Sequence, residues 1–323
     1  MTPHDAKALV PVASPAVPAL LAPDLDKAAD LARQEKAKAT RRAYRSDFAV
    51  FEAWCADRGV IALPATAESV AAFLACEIDR GIQCSTIGRR VAAIRYAHKL
   101  AAHPVPTDDE RVKATVRGIR RTIGTTARKK APATAERVIA MAVGTGSGLK
   151  GLRDRALLLL GFAGAFRRSE LVALDCEDIE ECETGLRITI RRGKTDQEGH
   201  GATIGIVPGS VACPMTAVRA WRDAAGIATG PLFRSIRKGG KVGARLTDQS
   251  VADIVKKHAA RVGLDPALFA GHSLRAGFLT SAAKRGASIF KMMDVSRHRS
   301  VDTLRGYVRD AEIFKDHAGA GLL

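Results

Sequence analysis

The hydrophobic pattern changes period once along this chain, and that change limits the folds open to it. Over residues 25–124, apolar residues recur at helical spacing almost without a break. Tyr44, Phe48, Phe51 and Cys55 fall four, three and four residues apart, one face of a helix over 40–58. Val70, Phe73, Leu74 and Ile78 repeat the pattern over 68–79. Ile87, Val91 and Ile94 do so over 85–102, with Ser85 the expected cap. A shorter helix carries Val112, Val116, Ile119 and Ile123 on one side. Further on, Leu186, Ile188 and Ile190 alternate with Arg187, Thr189 and Arg191, the period of two that belongs to a strand. The polar stretch 193–201 reads as a turn and 202–207 as the returning strand. Helices are predicted around this hairpin at 133–143, 154–166, 214–225, 247–262, 273–284, 289–295 and 301–308.

Punctuation residues divide the chain further. Residues 1–24 hold five prolines among many alanines and are expected to form a disordered arm. Residues 25–124 form a helical domain. The stretch 125–132 is short and basic and ends on Pro132, which disfavours helix at Ala131, so it reads as a linker. Residues 133–323 make the second domain. The expected fold class is mainly α with a small antiparallel β-sheet: a helical N-terminal domain followed by an α+β domain.

Charge narrows the function. The net charge of +17 is shared almost evenly, with 21 basic and 12 acidic side chains in residues 25–130 and 29 and 20 in residues 131–323. Two similarly basic halves point to a polyanion held along the molecule rather than by one tail. The longest apolar run, 156–166, is too short to cross a bilayer, and the N-terminus lacks the pattern of a secretory signal. Basic residues spread over both halves do not suit a membrane-surface helix. The six cysteines are scattered without a CxxC pair, which argues against a zinc site or disulfide framework and fits a reducing cytoplasm. The expected location is the cytoplasm, on the nucleoid if the source is bacterial. Arg41, Arg45, Arg89, Arg90, Lys113, Arg117 and Arg120, with Lys129 and Lys130 of the linker, are candidate contacts to a nucleic-acid backbone. Their contribution would be largely independent of base sequence and would weaken with salt.

Four stretches of the second domain collect residues suited to phosphate chemistry: 164–171 (GAFRRSEL), 192–195 (RGKT), 271–275 (GHSLR) and 296–307 (SRHRSVDTLRGY). Singly, each has a plain explanation. An arginine at a helix end is often solvated, a lone histidine is often structural, and a hairpin lysine is usually just exposed. Together they resemble the tyrosine recombinase (phage integrase) family. Arg167 with Glu170 and Leu171 is similar to that family's first motif, and Lys194 to its hairpin lysine. His272-Ser273-Leu274-Arg275 is similar to its His-x-x-Arg motif, and His298, nine residues before Tyr307, to its second histidine and tyrosine. The 26 residues from His272 to His298 and 35 to Tyr307 are also family-like. Two positions depart from the pattern. Arg297 stands where members often have Gly, and Ala276 where many have His; both read as subfamily variation.

The resemblance implies a helical, SAM-like core-binding domain, a catalytic domain and a clamp of the two around duplex DNA. It implies a 3′-phosphotyrosine intermediate formed without ATP or cofactor, and a C-terminal helix that docks on a neighbouring protomer to give a homotetramer on two sites. Physical chemistry explains the residue set. A phenol with pKa near 10 must lose its proton as it attacks, and charge builds on the non-bridging oxygens. Arg167 and Arg275 offer planar, permanently charged donors to those oxygens, the electrostatic work a metal would otherwise perform. His272 and His298 supply hydrogen bonds and a proton acceptor, Lys194 protonates the departing 5′ oxygen, and Glu170 orients its neighbours. A type IB topoisomerase or telomere resolvase would use a comparable set, and a DNA-binding protein with a decayed site is a further alternative. The spacing, compact length and helical front domain favour a recombinase, and no catalytic group is missing.

Overall fold

The computed structural model describes residues 21–33, 35–126, 130–191, 193 and 201–311. The chain forms two compact units, Met1–Ala127 and Arg128–Leu323.

In the first unit, helices α1 (Ala22–Arg33), α2 (Lys38–Ala56), α3 (Ala67–Asp79), α4 (Cys84–Leu100) and α5 (Glu110–Ile123) follow one another. Helix α1 begins inside the stretch expected to be an arm. Pro23 sits in its first turn, where a missing N–H breaks no intrahelical bond. Phe51, Trp54, Val70, Phe73, Leu74, Ile87, Ile94, Val112 and Ile119 form the core. Phe51 and Trp54 meet Phe73 at 5.0 and 5.6 Å between ring centres, tilted and edge-on. Thr66 caps α3 and Asp109 caps α5 through their side chains. The expected cap Ser85 lies inside α4, whose first residue is Cys84. Buried His98 accepts from the Ala65 amide at Nε2 (2.9 Å) and, with its proton on Nδ1, donates to the Ile94 carbonyl at 2.8 Å, so it is structural.

In the second unit, α6 (Ala135–Val143), α7 (Leu149–Ala163) and α8 (Arg168–Ala173) precede a sheet of β1 (Ile179–Cys182), β2 (Gly185–Ile190) and β3 (Ala202–Ile206). The sheet is antiparallel in the order β1-β2-β3, and Ile188 pairs with Ile179 on one side and Ile204 on the other. Leu186, Ile188 and Ile190 point into the core as their period of two requires. Next come α9 (Pro214–Ala225), a second antiparallel pair of β4 (Arg234–Ile236) and β5 (Val242–Arg245), and α10 (Asp248–Arg261). This second small sheet was not expected; its short strands carry no alternating run. Helices α11 (Ser273–Lys284), α12 (Ile289–Ser296) and α13 (Val301–Ala311) complete the described chain. Among the described residues, no helix is long and apolar enough to cross a membrane.

Helix α7 runs through the core with Leu157, Leu158, Leu159 and Leu160 all buried. A buried ion pair, Arg153 and Asp154, interrupts it. Asp154 is fully buried, bonded to His258 of α10 at 2.8 Å and to Arg153 at 2.6 Å. That network ties α7 to α10. Helix α11 is held in turn by the segment entering α6: the Ala133 amide donates to Ser273, and the Ala135 amide to the Ser281 hydroxyl. This contact is close because residue 277 is glycine. A Cβ there would stand 1.7 Å from the Ala133 carbonyl oxygen. Glycine to alanine inside a helix normally gains about 1 kcal/mol, but here the overlap should make Gly277→Ala destabilising by about 2 kcal/mol. Urea unfolding checks this, and an unchanged or raised midpoint would contradict the close packing of α11.

Candidate active site

Helix α7 ends at Gly164, and a tight turn carries the chain into α8. Ala165 adopts φ +45°, a left-handed conformation rarely taken by a residue with a side chain. The turn aims its carbonyl into the unit and presents Arg167 as the cap residue of α8. Glu170 closes the reciprocal cap: Oε2 accepts from the Arg167 amide at 3.0 Å and Oε1 from the Arg167 guanidinium at 2.6 Å. Glu170 is 2% exposed. Burial opposes its ionisation, but the charge of Arg297 and the donors of Arg167 outweigh it and hold the carboxyl below the usual range.

Arg275 rises from the first turn of α11 and is wholly buried. Its Nη1 donates to the Ala165 carbonyl at 2.7 Å, and its Nη2 lies 3.1 Å from Nε2 of His298. Nε of Arg275 has no partner among the described residues. Burial, then repulsion from Arg167 and Arg297, lowers its pKa to about 9, which still leaves it charged at neutral pH.

His298 follows α12 and reaches back to Ser296, with Nδ1 2.8 Å from its hydroxyl. The Ser296 hydroxyl donates its proton to the Met292 carbonyl at 2.6 Å, so it accepts from the ring. That fixes the neutral tautomer, with the proton on Nδ1, and Arg275 Nη2 lies against the ring, 3.1 Å from Nε2 and 3.2 Å from Nδ1. Burial and the charge of Arg275 push the pKa of His298 down to about 4.

Tyr307, on α13, is half-buried at the edge of a cluster of Leu279, Ala283, Met292 and Leu304. Burial raises its pKa against the opposing charge of Arg275. His272 stands exposed at the start of α11, and its ring acts electrostatically on His298.

Arg167, Glu170, Arg275, His298 and Tyr307 therefore come from four segments to one place, with His272 at its rim. Lys194 lies outside the described residues, as does Lys129. Arg168, beside the catalytic candidate, is exposed and pairs with Asp248 at 3.0 Å. Among the described residues, no group of three or more His, Cys, Asp or Glu side chains is placed to hold a metal ion.

The other basic candidates divide. Arg45, Lys113, Arg117, Arg120 and Lys130 are exposed, and Arg41 is half-buried. Arg89 is bonded to the buried carboxylate of Asp47, at 3.1 Å through Nη2. Arg90 is 12% exposed, set between Glu77 and the Phe73 ring. Its guanidinium neutralises a buried carboxylate, which leaves it unsuited to a backbone phosphate.

One functional candidate escaped the sequence. Arg297 is 12% exposed and donates to Glu170 Oε2 at 2.8 Å. The signal was an arginine where the resembling family often has glycine.

The comparisons with known proteins agree with one another. Residues 134–312 match the phage integrase family, and residues 28–103 the phage integrase N-terminal SAM-like domain. An integrase/recombinase XerD homologue of Selenomonas ruminantium is 41% identical over 295 residues, 88% of this chain and 86% of its own. A tyrosine recombinase XerD of Bifidobacterium longum is 30% identical over 84% of this chain and 86% of its own. Among solved structures, a lambda integrase dimer bound to a core site shares the fold at TM-score 0.59 and 16% identity, over 91% of this chain and 96% of that one. A XerH recombinase bound to a difH substrate shares it at TM-score 0.60 and 16% identity, over 80% and 72%.

The His298 shift has a sign that can be measured. Between pH 6.5 and about 4 the unfolded chain binds a proton on this ring that the folded chain refuses. Stability should therefore fall as pH drops through that window, and more steeply in the parent than in His298→Gln. Thermal unfolding across the window checks it, and equal slopes would contradict the buried, neutral ring.

Proposed function

The chain belongs to the phage integrase family of tyrosine recombinases, and from that premise we propose how its own residues divide the reaction. It is a site-specific DNA recombinase, and the family's strand transfer proceeds through a 3′-phosphotyrosine. The phenol oxygen of Tyr307 attacks a phosphodiester, the bond from phosphorus to the 5′ oxygen breaks, and that oxygen leaves as a hydroxyl. Because the phosphate ester is conserved in the new linkage, a 5′ hydroxyl from another strand can reverse the step without ATP.

Arg167 and Arg275 hold the non-bridging oxygens. Guanidinium groups match two oxygens at once and stay charged, so they stabilise the transition state where its charge grows. The burial of Arg275 with its Nε donor unpartnered among the described residues is the observation that carries this reading. An anionic phosphate beside it would also relieve the repulsion from Arg167. His298 holds Arg275 by its neutral ring, which lies against Nη2. His272, the exposed ring of the two, takes the Tyr307 proton, and Lys194 supplies one to the 5′ oxygen. Glu170 orients Arg167.

Duplex DNA is the substrate. The core-binding domain is assigned to 25–124, the linker to 125–132 and the catalytic domain to 133–323, with Arg41, Arg45, Lys113, Arg117, Arg120, Lys129 and Lys130 as backbone contacts. A protein that works on DNA is proposed to act in the cytoplasm, at the nucleoid if the source is bacterial. The active assembly is a homotetramer on two sites. Its docking element is the C-terminal stretch, which carries Ile313, Phe314, Leu322 and Leu323. An apolar groove of about 480 Å³ lined by Ile139, Phe162, Val207, Val211 and Phe278 offers such a stretch a seat, from a neighbouring protomer or, in the alternative, from the same chain.

Two outcomes test this reading. Nicked duplexes with a randomised core, enriched by covalent capture on the parent protein, should yield an adduct that Tyr307→Phe abolishes. An adduct surviving that change would overturn the nucleophile. Removal of residues 312–323 should leave single-site binding intact and abolish strand exchange between two enriched sites; unchanged exchange would overturn the docking role.

A further inference from the structure

The residue before His298 does something a helix end does not need. Helix α12 stops with Arg297 in a left-handed conformation (φ 56°, ψ 41°), where glycine or asparagine ends a helix with less strain. The side chain then turns inward rather than to solvent. Its Cζ lies over the Phe166 ring, 5.2 Å from the ring centre. Its donors reach the carbonyls of Gly164 (3.1 Å), Val295 (2.5 Å) and Ala165 (3.4 Å) and the carboxylate of Glu170 (2.8 Å).

Two of these partners, Glu170 and Ala165, support the site. Glu170 holds Arg167 by backbone and side chain, and the Ala165 carbonyl also accepts from Arg275. One guanidinium therefore touches the supports of both phosphate-binding arginines. Glu170 is too deeply buried to lose a cation without consequence, since Arg167 alone would have to neutralise it and would be drawn towards it.

We propose that Arg297 is a positioning residue that clamps Glu170 and the 164–166 turn, setting Arg167 and Arg275 at the separation one phosphate requires. Both of its Nη groups are taken up by Glu170 and by the carbonyls of Gly164, Ala165 and Val295, so it acts through Glu170 and the turn. The inference rests on the recombinase reading above. It explains why an arginine occupies a strained backbone position: the side chain's contacts hold it there.

The test uses the full chain and the enriched nicked duplexes. Arg297→Gly suits the left-handed backbone and removes only the clamp. It should slow single-turnover covalent capture about 100-fold, the effect of shifting reacting groups by about an ångström. Affinity for uncleaved duplex should change less than about threefold, because the exposed backbone contacts remain. Arg297→Lys, which keeps the charge but not the fork, should fall between the two. In a Glu170→Gln background the glycine change should add less than about threefold, since both act through one contact. Parent-like capture by Arg297→Gly, a parallel loss of affinity, or slowdowns that multiply would each overturn the proposal. If Arg297→Gly fails to fold, Arg297→Lys decides alone: slower capture at unchanged affinity supports the clamp, and parent-like capture overturns it. Capture of nothing by the parent protein would overturn the recombinase reading itself.

Discussion

A single buried carboxylate organises this catalytic unit. Glu170 lies between Arg167 and Arg297, and neither arginine would hold its place without it. A carboxylate taken out of water is strongly disfavoured unless it is paired and fully hydrogen-bonded. Here both oxygens accept charge-assisted bonds, and one also accepts a backbone amide. The reciprocal cap of α8 thus serves local structure and tertiary electrostatics together. It starts a helix, and it aims a guanidinium.

The groups around Glu170 carry a surplus of positive charge. Three arginines face one carboxylate, and His298 is neutral at pH 7. Burial first, and then repulsion from Arg167 and Arg297, lowers the pKa of Arg275. A phosphodiester would relieve that repulsion, and a transition state with more negative charge on its oxygens would relieve it further. Preorganised charge of this kind needs no rearrangement during the reaction. Burial raises the pKa of Tyr307 against the opposing charge of Arg275, so its attack needs a base to take the proton.

Much of this was legible in the residues alone. The helical period of the first unit, the alternation at 186–190 and the i, i+3 spacing of His272 and Arg275 are local patterns, and local patterns survive in a sequence. Ion pairs between distant segments do not. Arg89 and Arg90 read as two more candidate contacts to a nucleic-acid backbone, yet they pair with Asp47 and Glu77 on other helices. Helical spacing identifies the face a residue occupies but not what packs on it. Arg297 was hidden for the same reason, since its meaning comes from Glu170, 127 positions away. Strands β4 and β5 are too short to carry a period, and tertiary contacts decide their conformation.

The most direct measurement concerns the bond itself. Nuclease digestion of the covalent adduct, followed by mass spectrometry of its peptides, should find one nucleotide joined through its 3′ phosphate to Tyr307. The released strand should carry a 5′ hydroxyl that accepts a labelled phosphate from a kinase. A nucleotide on any other residue, or a linkage through a 5′ phosphate, would contradict the account.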